Sequence, residues 1–175
     1  MRALSTSNAV IAVVALLLSA APQIASAQAE VPVATTTGNR TIIASAFDRW
    51  AAGGTDFFTT VLSPDVVWTI EGSGPSAGVY RGLDEFMARA IQPFASRMRE
   101  PVRPISSQVW AEGDHVVVRW EGRGVAGDAR PYQNDYVWIL RLENGRAVEV
   151  TAFLDLPAYD DVLGRVPAAA ASASQ

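Results

Sequence analysis

Arg119 and Glu121 stand two residues apart in the run Arg119-Trp120-Glu121, and Asn134, Tyr136 and Trp138 repeat that spacing after a short turn. On a β-strand, residues i, i+2 and i+4 point to one face. A sheet face carrying Arg, Glu, Asn, Tyr and Trp looks less like a sealed core than like the wall of a ligand pocket. In such a wall Glu121 would serve as a base or hydrogen-bond acceptor, and Arg119 would hold its charge or bind an anionic group. The same pair has a purely structural reading: an ion pair, or two charges on the outer face of the sheet in a dimer.

The residue types that are missing narrow the chemistry. The chain has no Cys, which removes thiol nucleophiles, disulfides and thiolate metal sites. All its basic side chains apart from one His are Arg, which removes Schiff-base chemistry. His115, the single histidine, follows a Gly-Asp turn at a strand start, where a solvated role is expected. No metal ligand set is apparent, and no cofactor fingerprint either: Gly72-Ser73-Gly74-Pro75 has glycines in a loop but does not open a helix. The formal charge of −4 gives no basic footprint for nucleic acid. What remains for chemistry is carboxylates, arginines, Tyr, Trp and bound water.

Around these residues the chain is ordered simply. Met1-Arg2, the apolar run Val10 to Ala21 and the small residues Ala25-Ser26-Ala27 form a signal peptide over 1–27, too short to span a bilayer. The mature protein is therefore expected in the periplasm or secreted, with no membrane attachment after cleavage. Residues 28–38 read as a flexible linker and 164–175 as a disordered tail, leaving one domain at 39–163. Helical spacing places Ile42, Ile43, Ala46, Phe47 and Trp50 on a first helix that Gly53-Gly54 stops. A short second helix carries Phe57, Phe58, Val61 and Leu62. Asp65 to Glu71 is a strand. A third helix spans 83–98, with Phe86, Ala90 and Phe94 against the sheet and a kink at Pro93. Four strands follow at about 102–112, 114–124, 131–143 and 146–155, joined by short turns at Gly113-Asp114 and Asn144-Gly145 that demand antiparallel pairing. Asp155 before Leu156-Pro157 is placed as the N-cap of a last helix. The sum is an α+β domain whose helices pack on a strongly curved, mainly antiparallel sheet.

The runs LSPDVVWTIEGSG, GDHVVVRWEGRG and PYQNDYVWILRLENGRAVEVTAFLD resemble the SnoaL-like branch of the nuclear transport factor 2-like superfamily, over about residues 40–163. The resemblance implies a conical fold and a pocket for a small, mostly apolar molecule. It also implies isomerase, cyclase or hydrolase-type acid–base work without a cofactor, and a homodimer paired through the outer sheet face. Laid on the limonene epoxide hydrolases, Arg119-Trp120-Glu121 resembles their Arg-x-Asp. Their last-strand Asp falls on Ala152, and their Tyr-x-Asn falls on Trp68-Thr69-Ile70. Laid on the ketosteroid isomerases, the proton-shuttling Asp falls on Ile70 and the oxyanion groups near Phe47 and Trp138. Both alignments turn position 70 toward the pocket, and Glu71 reaches it only through a β-bulge.

The expected site is thus Arg119 and Glu121 as catalytic pair, with Trp68, Ile70, Asn134, Tyr136, Trp138, Ala152 and Leu154 around the ligand. Trp110, Trp120 and Val137 belong to the opposite, dimerising face, and Asp135 faces away from the cone. The alternative is a binding or dimerisation module without catalysis, since the bases used by two relatives are replaced by Ile70 and Ala152.

Overall fold

The structure is a computed structural model that describes residues 33–168. The signal peptide, the start of the linker and residues 169–175 of the tail lie outside the described residues.

α1 (Val33–Ala51) starts inside the stretch read as linker. Its first turns carry little apolar periodicity, but tertiary bonds tie them down. Gly113 donates its N–H to the Thr36 hydroxyl at 2.9 Å, and buried Asn39 donates to the Gly113 carbonyl at 3.0 Å. Helices draw most of their stability from such contacts, so residues 33–38 are helical where the pattern alone gave no signal. Further along, Ile43, Ala46 and Phe47 are buried and Trp50 is half-buried, while Ile42 stays exposed. Gly53, at φ 107°, takes the left-handed conformation that ends the helix. α2 (Phe57–Val61) follows directly, burying Phe57 and Val61.

α3 (Leu83–Phe86), a π-helical turn (Met87–Ile91) and α4 (Gln92–Ala95) run on without a break. Pro93 has no N–H for the carbonyl one α-turn back. The kink expected there takes the form of a widened turn just before it, in which the Gln92 N–H reaches Met87 O. Phe86, Ala90 and Phe94 are buried, as their spacing predicts.

Six strands form one sheet in the order β2-β1-β6-β5-β4-β3. They are β1 (Leu62–Ile70), β2 (Gly78–Arg81), β3 (Met98–Glu112), β4 (His115–Ala126), β5 (Pro131–Glu143) and β6 (Arg146–Leu154). The last four pair antiparallel in sequence order, as their short turns require. β1 adds to β6 in parallel, with Trp68 opposite Val150 and Ile70 opposite Ala152. The short β2, in a stretch with no strand signal of its own, completes that edge. The β3–β4 ladder changes register between Met98 and Glu100, Glu100 and Arg103, and Pro104 and Ser106. Such irregularities bend a sheet. Gly124 permits the bend, because a Cβ there would lie 2.8 Å from the Glu100 carbonyl oxygen.

α5 (Leu156–Arg165) closes the domain and runs past the expected end at 163. Buried Val166 extends the ordered chain into the stretch read as tail. The Asp155 carboxylate accepts from Ala158 N, the N-cap role its position predicts. Inside, a large core runs from Ile43 and Phe47 to Val150 and Ala152. A smaller one joins Phe94, Tyr132, Tyr159 and Val162.

Candidate functional site

Alternation decides which side chains reach the interior. On β5, Tyr132, Asn134, Tyr136, Trp138, Leu140 and Leu142 are all buried, so the inward face expected for Asn134, Tyr136 and Trp138 is the one observed. On β4 the buried set is Val116, Val118, Trp120, Gly122 and, at the strand's end, Ala126. Arg119 and Glu121 occupy the intervening positions and face outward. This corrects the reading of Arg119 and Glu121 as inward-facing catalytic residues, and of Trp120 as a residue of the outer face. The register explains it: Trp120 lies opposite Tyr136, while Glu121 lies opposite Asp135 and Arg119 opposite Val137. Cross-strand partners share a face. Glu121 accepts from Gln133 Nε2 at 2.6 Å and Arg123 Nη2 at 3.1 Å, and Arg119 sits 3.8 Å from Asp135. These are surface contacts, the outer-face alternative for this pair.

Between the two cores lies a cavity of about 340 Å³. The α1 end contributes Trp50, α2 contributes Phe58, and the π turn turns Met87 and Ile91 into the same space. β4 and β5 supply the back wall with Trp120, Tyr136 and Trp138. Trp120 stacks on Tyr136 with ring centres 3.9 Å apart and 8° between planes. Trp138 meets Trp120 edge-on at 4.9 Å. Such offset and edge-on aromatic packing is favourable and rigid. Gly122 leaves room for the stack, since a Cβ there would lie 2.7 Å from the Trp120 ring and 2.8 Å from Val102.

Trp68, Ile70, Asn134, Ala152 and Leu154, expected on the pocket wall, lie off it. Their strand parity is inward, but large side chains fill that end of the cone. Trp68 stacks on Phe86 at 4.2 Å, and Ile70 and Ala152 are buried in the same core. Leu154 is half-buried between the two cores. Asn134 has a supporting place instead. It donates to Asp155 O and to Tyr132 Oη, each at 2.9 Å, and accepts from Asp155 N at 2.9 Å.

Behind the cavity wall, Tyr136 joins a short buried chain of polar groups. Tyr132 Oη accepts from Asn134 and lies 2.8 Å from Tyr136 Oη. Tyr132 Oη thus takes one amide hydrogen from Asn134 and shares a hydrogen with Tyr136 Oη, either phenol serving as the donor. Burial pushes the Tyr132 phenol up to about 12 and that of Tyr136 well above its ordinary value of 10.0, so both stay neutral donors. Tyr159, also raised by burial, donates to the Ala90 carbonyl at 2.9 Å. Among the described residues Arg103 is the one charged side chain in the wall, and neither a carboxylate nor an imidazole lines it. Among the described residues no three metal-ligating side chains come together.

Trp50, Phe58 and Trp120 escape detection from spacing alone, for different reasons. Trp50 and Phe58 read as ordinary helix core residues. Trp120 follows the unbroken run Val116-Val117-Val118, which leaves the phase of the strand unmarked. Arg103 has no sequence signal, because its strand is irregular where it sits.

A family profile for the SnoaL-like domain matches residues 43–150. A search of curated proteins returns no relative. Among solved structures, the chain is similar to a nuclear transport factor 2-like protein from Burkholderia xenovorans. The two share 22% identity and a TM-score of 0.56, with 73% of this chain and 97% of the other covered. A nuclear transport factor 2-like protein of unknown function from Burkholderia pseudomallei gives 22% identity and a TM-score of 0.58, covering 75% and 98%. TerC co-crystallised with polyporic acid gives 17% identity and a TM-score of 0.57, covering 73% and 98%. At these identities the structures speak for the fold, and the profile speaks for the family. The chain belongs to the SnoaL-like domain family, on the nuclear transport factor 2-like fold that its helices and curled sheet display.

Proposed function

We propose that this protein is exported, loses residues 1–27, and binds a small, mostly apolar, ring-bearing molecule in the cavity walled by Trp50, Trp120, Tyr136 and Trp138. The observation that carries this reading is the cavity: about 340 Å³, apolar on nearly every side, with the hydroxyls of Thr55, Tyr136 and Tyr159 and one guanidinium on its wall. That size and composition match small-molecule sites, which run from about 300 Å³ upward. Polyporic acid in the TerC crystal supports a small-molecule occupant for this fold. Tryptophan fluorescence tests the reading, because three of the five Trp residues line the space. Flat aromatic compounds should quench the parent protein saturably, and Trp138→Ala should weaken them at least about tenfold. Unchanged affinity in the variant would sink the assignment.

The Tyr136 relay favours a second reading, in which the bound molecule is also turned over. With Tyr132 as the donor of their shared bond, the neutral Tyr136 phenol can polarise a carbonyl as charge develops on its oxygen. That would support isomerase or cyclase-type work without a cofactor. Arg119 and Glu121 have no part in it. Tyr136→Phe would then abolish turnover while sparing binding.

Export and pairing complete the proposal. Mass spectrometry of the exported protein should find a new terminus at Gln28, and an intact Met1 would refute cleavage. The outer sheet face exposes Trp110, Ile139 and Phe153 across neighbouring strands, an apolar surface suited to an isologous homodimer.

A further inference from the structure

Arg103 is out of keeping with its surroundings. It is half-buried on an otherwise apolar wall, in a chain whose net charge is −4. Its Nη1 donates to the carbonyls of Trp50, at 3.2 Å, and Gly54, which fixes the guanidinium beside the turn that ends α1. Among the described residues no carboxylate pairs with it. The same residues offer no acceptor to its Nε and Nη2. A half-buried charge without a counter-charge is unfavourable unless something supplies one.

The side-chain hydroxyls on the wall, those of Thr55, Tyr136 and Tyr159, are neutral and set no negative charge against a bound anion. Among the described residues no carboxylate lines the wall.

Resting on the small-molecule reading of this cavity, we propose that the site selects an aromatic anion, a flat ring body bearing a carboxylate or an ionised enol, with Arg103 as its counter-charge. The guanidinium fork matches the two oxygens of a carboxylate and forms stronger, charge-assisted bonds with them. The stacked Trp120–Tyr136 wall takes the ring. A cation of the same shape meets Arg103 as a like charge and is excluded.

Three probes with one ring system test this: naphthoate, its methyl ester, and naphthylmethylammonium, titrated calorimetrically into the full-length mature protein at low salt. The parent should bind naphthoate about tenfold or more tighter than the ester, and the ammonium weakest. Arg103→Gln should bring naphthoate down to the level of the ester and leave the ester unchanged. Arg103→Lys should keep part of the preference. If loss of the Trp50 and Gly54 bonds unfolds the Gln variant, the parent's ranking and the Lys variant carry the test. Equal affinity of the parent for naphthoate and ester, or a Gln variant that still prefers the anion, would overturn the charge assignment and leave the cavity reading standing. Binding of none of the three would overturn both.

Discussion

Asn134 uses every hydrogen-bonding group of its side chain. One amide hydrogen goes to Tyr132, the other to the Asp155 carbonyl, and the oxygen accepts the Asp155 N–H. It therefore holds both the phenol relay and the entry to α5. Asn134→Leu keeps the volume, takes its donor from the buried Tyr132 hydroxyl and releases the Asp155 backbone groups, on an exposed residue, from their partners; a buried group left unsatisfied costs about 1–3 kcal/mol. Urea unfolding should show a loss of about 3 kcal/mol, and a loss under about 1 kcal/mol would mean the network carries little weight. Arg119 and Glu121 make the opposite case. Their contacts are solvated pairs on the outer face, so Glu121→Gln should move stability by less than about 0.5 kcal/mol and leave ring-probe affinity at the parent value. A variant that loses binding would show that the outer face communicates with the cavity.

At the scale of elements, β4 and β5 work as one unit, and Gly122 is what lets them close. A methyl there meets the Trp120 ring, Val102 and, at 3.1 Å, the Tyr136 ring. None of these can retreat without unstacking the back wall. Gly122→Ala should destabilise by about 1–3 kcal/mol and weaken ring probes as well, read by thermal melts and fluorescence titration. The helical side of the cavity depends on the π turn at Met87–Ile91. There the missing N–H of Pro93 is turned into a change of direction that brings Met87 and Ile91 into the wall.

For the molecule as a whole, the buried phenols set an alkaline limit. Tyr132 is held at about 12, and Tyr136 and Tyr159 are also pushed up, each chiefly by burial. Their folded pKa values lie above the unfolded 10.0, so the folded state holds the proton more tightly. That contribution is complete below pH 10 and is lost as pH climbs through 12 and beyond. Tyrosinate absorbance should therefore rise together with loss of circular dichroism, in one cooperative step. Gradual titration of all four tyrosines near their ordinary value in a folded protein would contradict this burial. The proposed dimer makes a separate prediction. Trp110→Glu on the exposed sheet face should convert a dimer to a monomer in sedimentation without changing cavity affinity, and an unaltered dimer would place the interface elsewhere.

Strand periodicity and short turns were enough to predict the antiparallel order of the last four strands, the inward set Asn134, Tyr136 and Trp138, and the cap at Asp155, because each rests on local geometry. The face of β4 was open to misreading. In His115-Val116-Val117-Val118 three apolar residues run together, so the alternation has no marker until Arg119, and a one-residue choice of phase inverts every side chain. Only the register against β5 settles it, by setting Trp120 opposite Tyr136. The cavity is likewise a tertiary product. Its wall joins residues from α1, α2, the π turn and three strands, and its boundary is set by how large aromatics such as Trp68 and Phe86 fill the rest of the cone. Packing of that kind depends on shapes meeting from distant parts of the chain, which no spacing along the chain records.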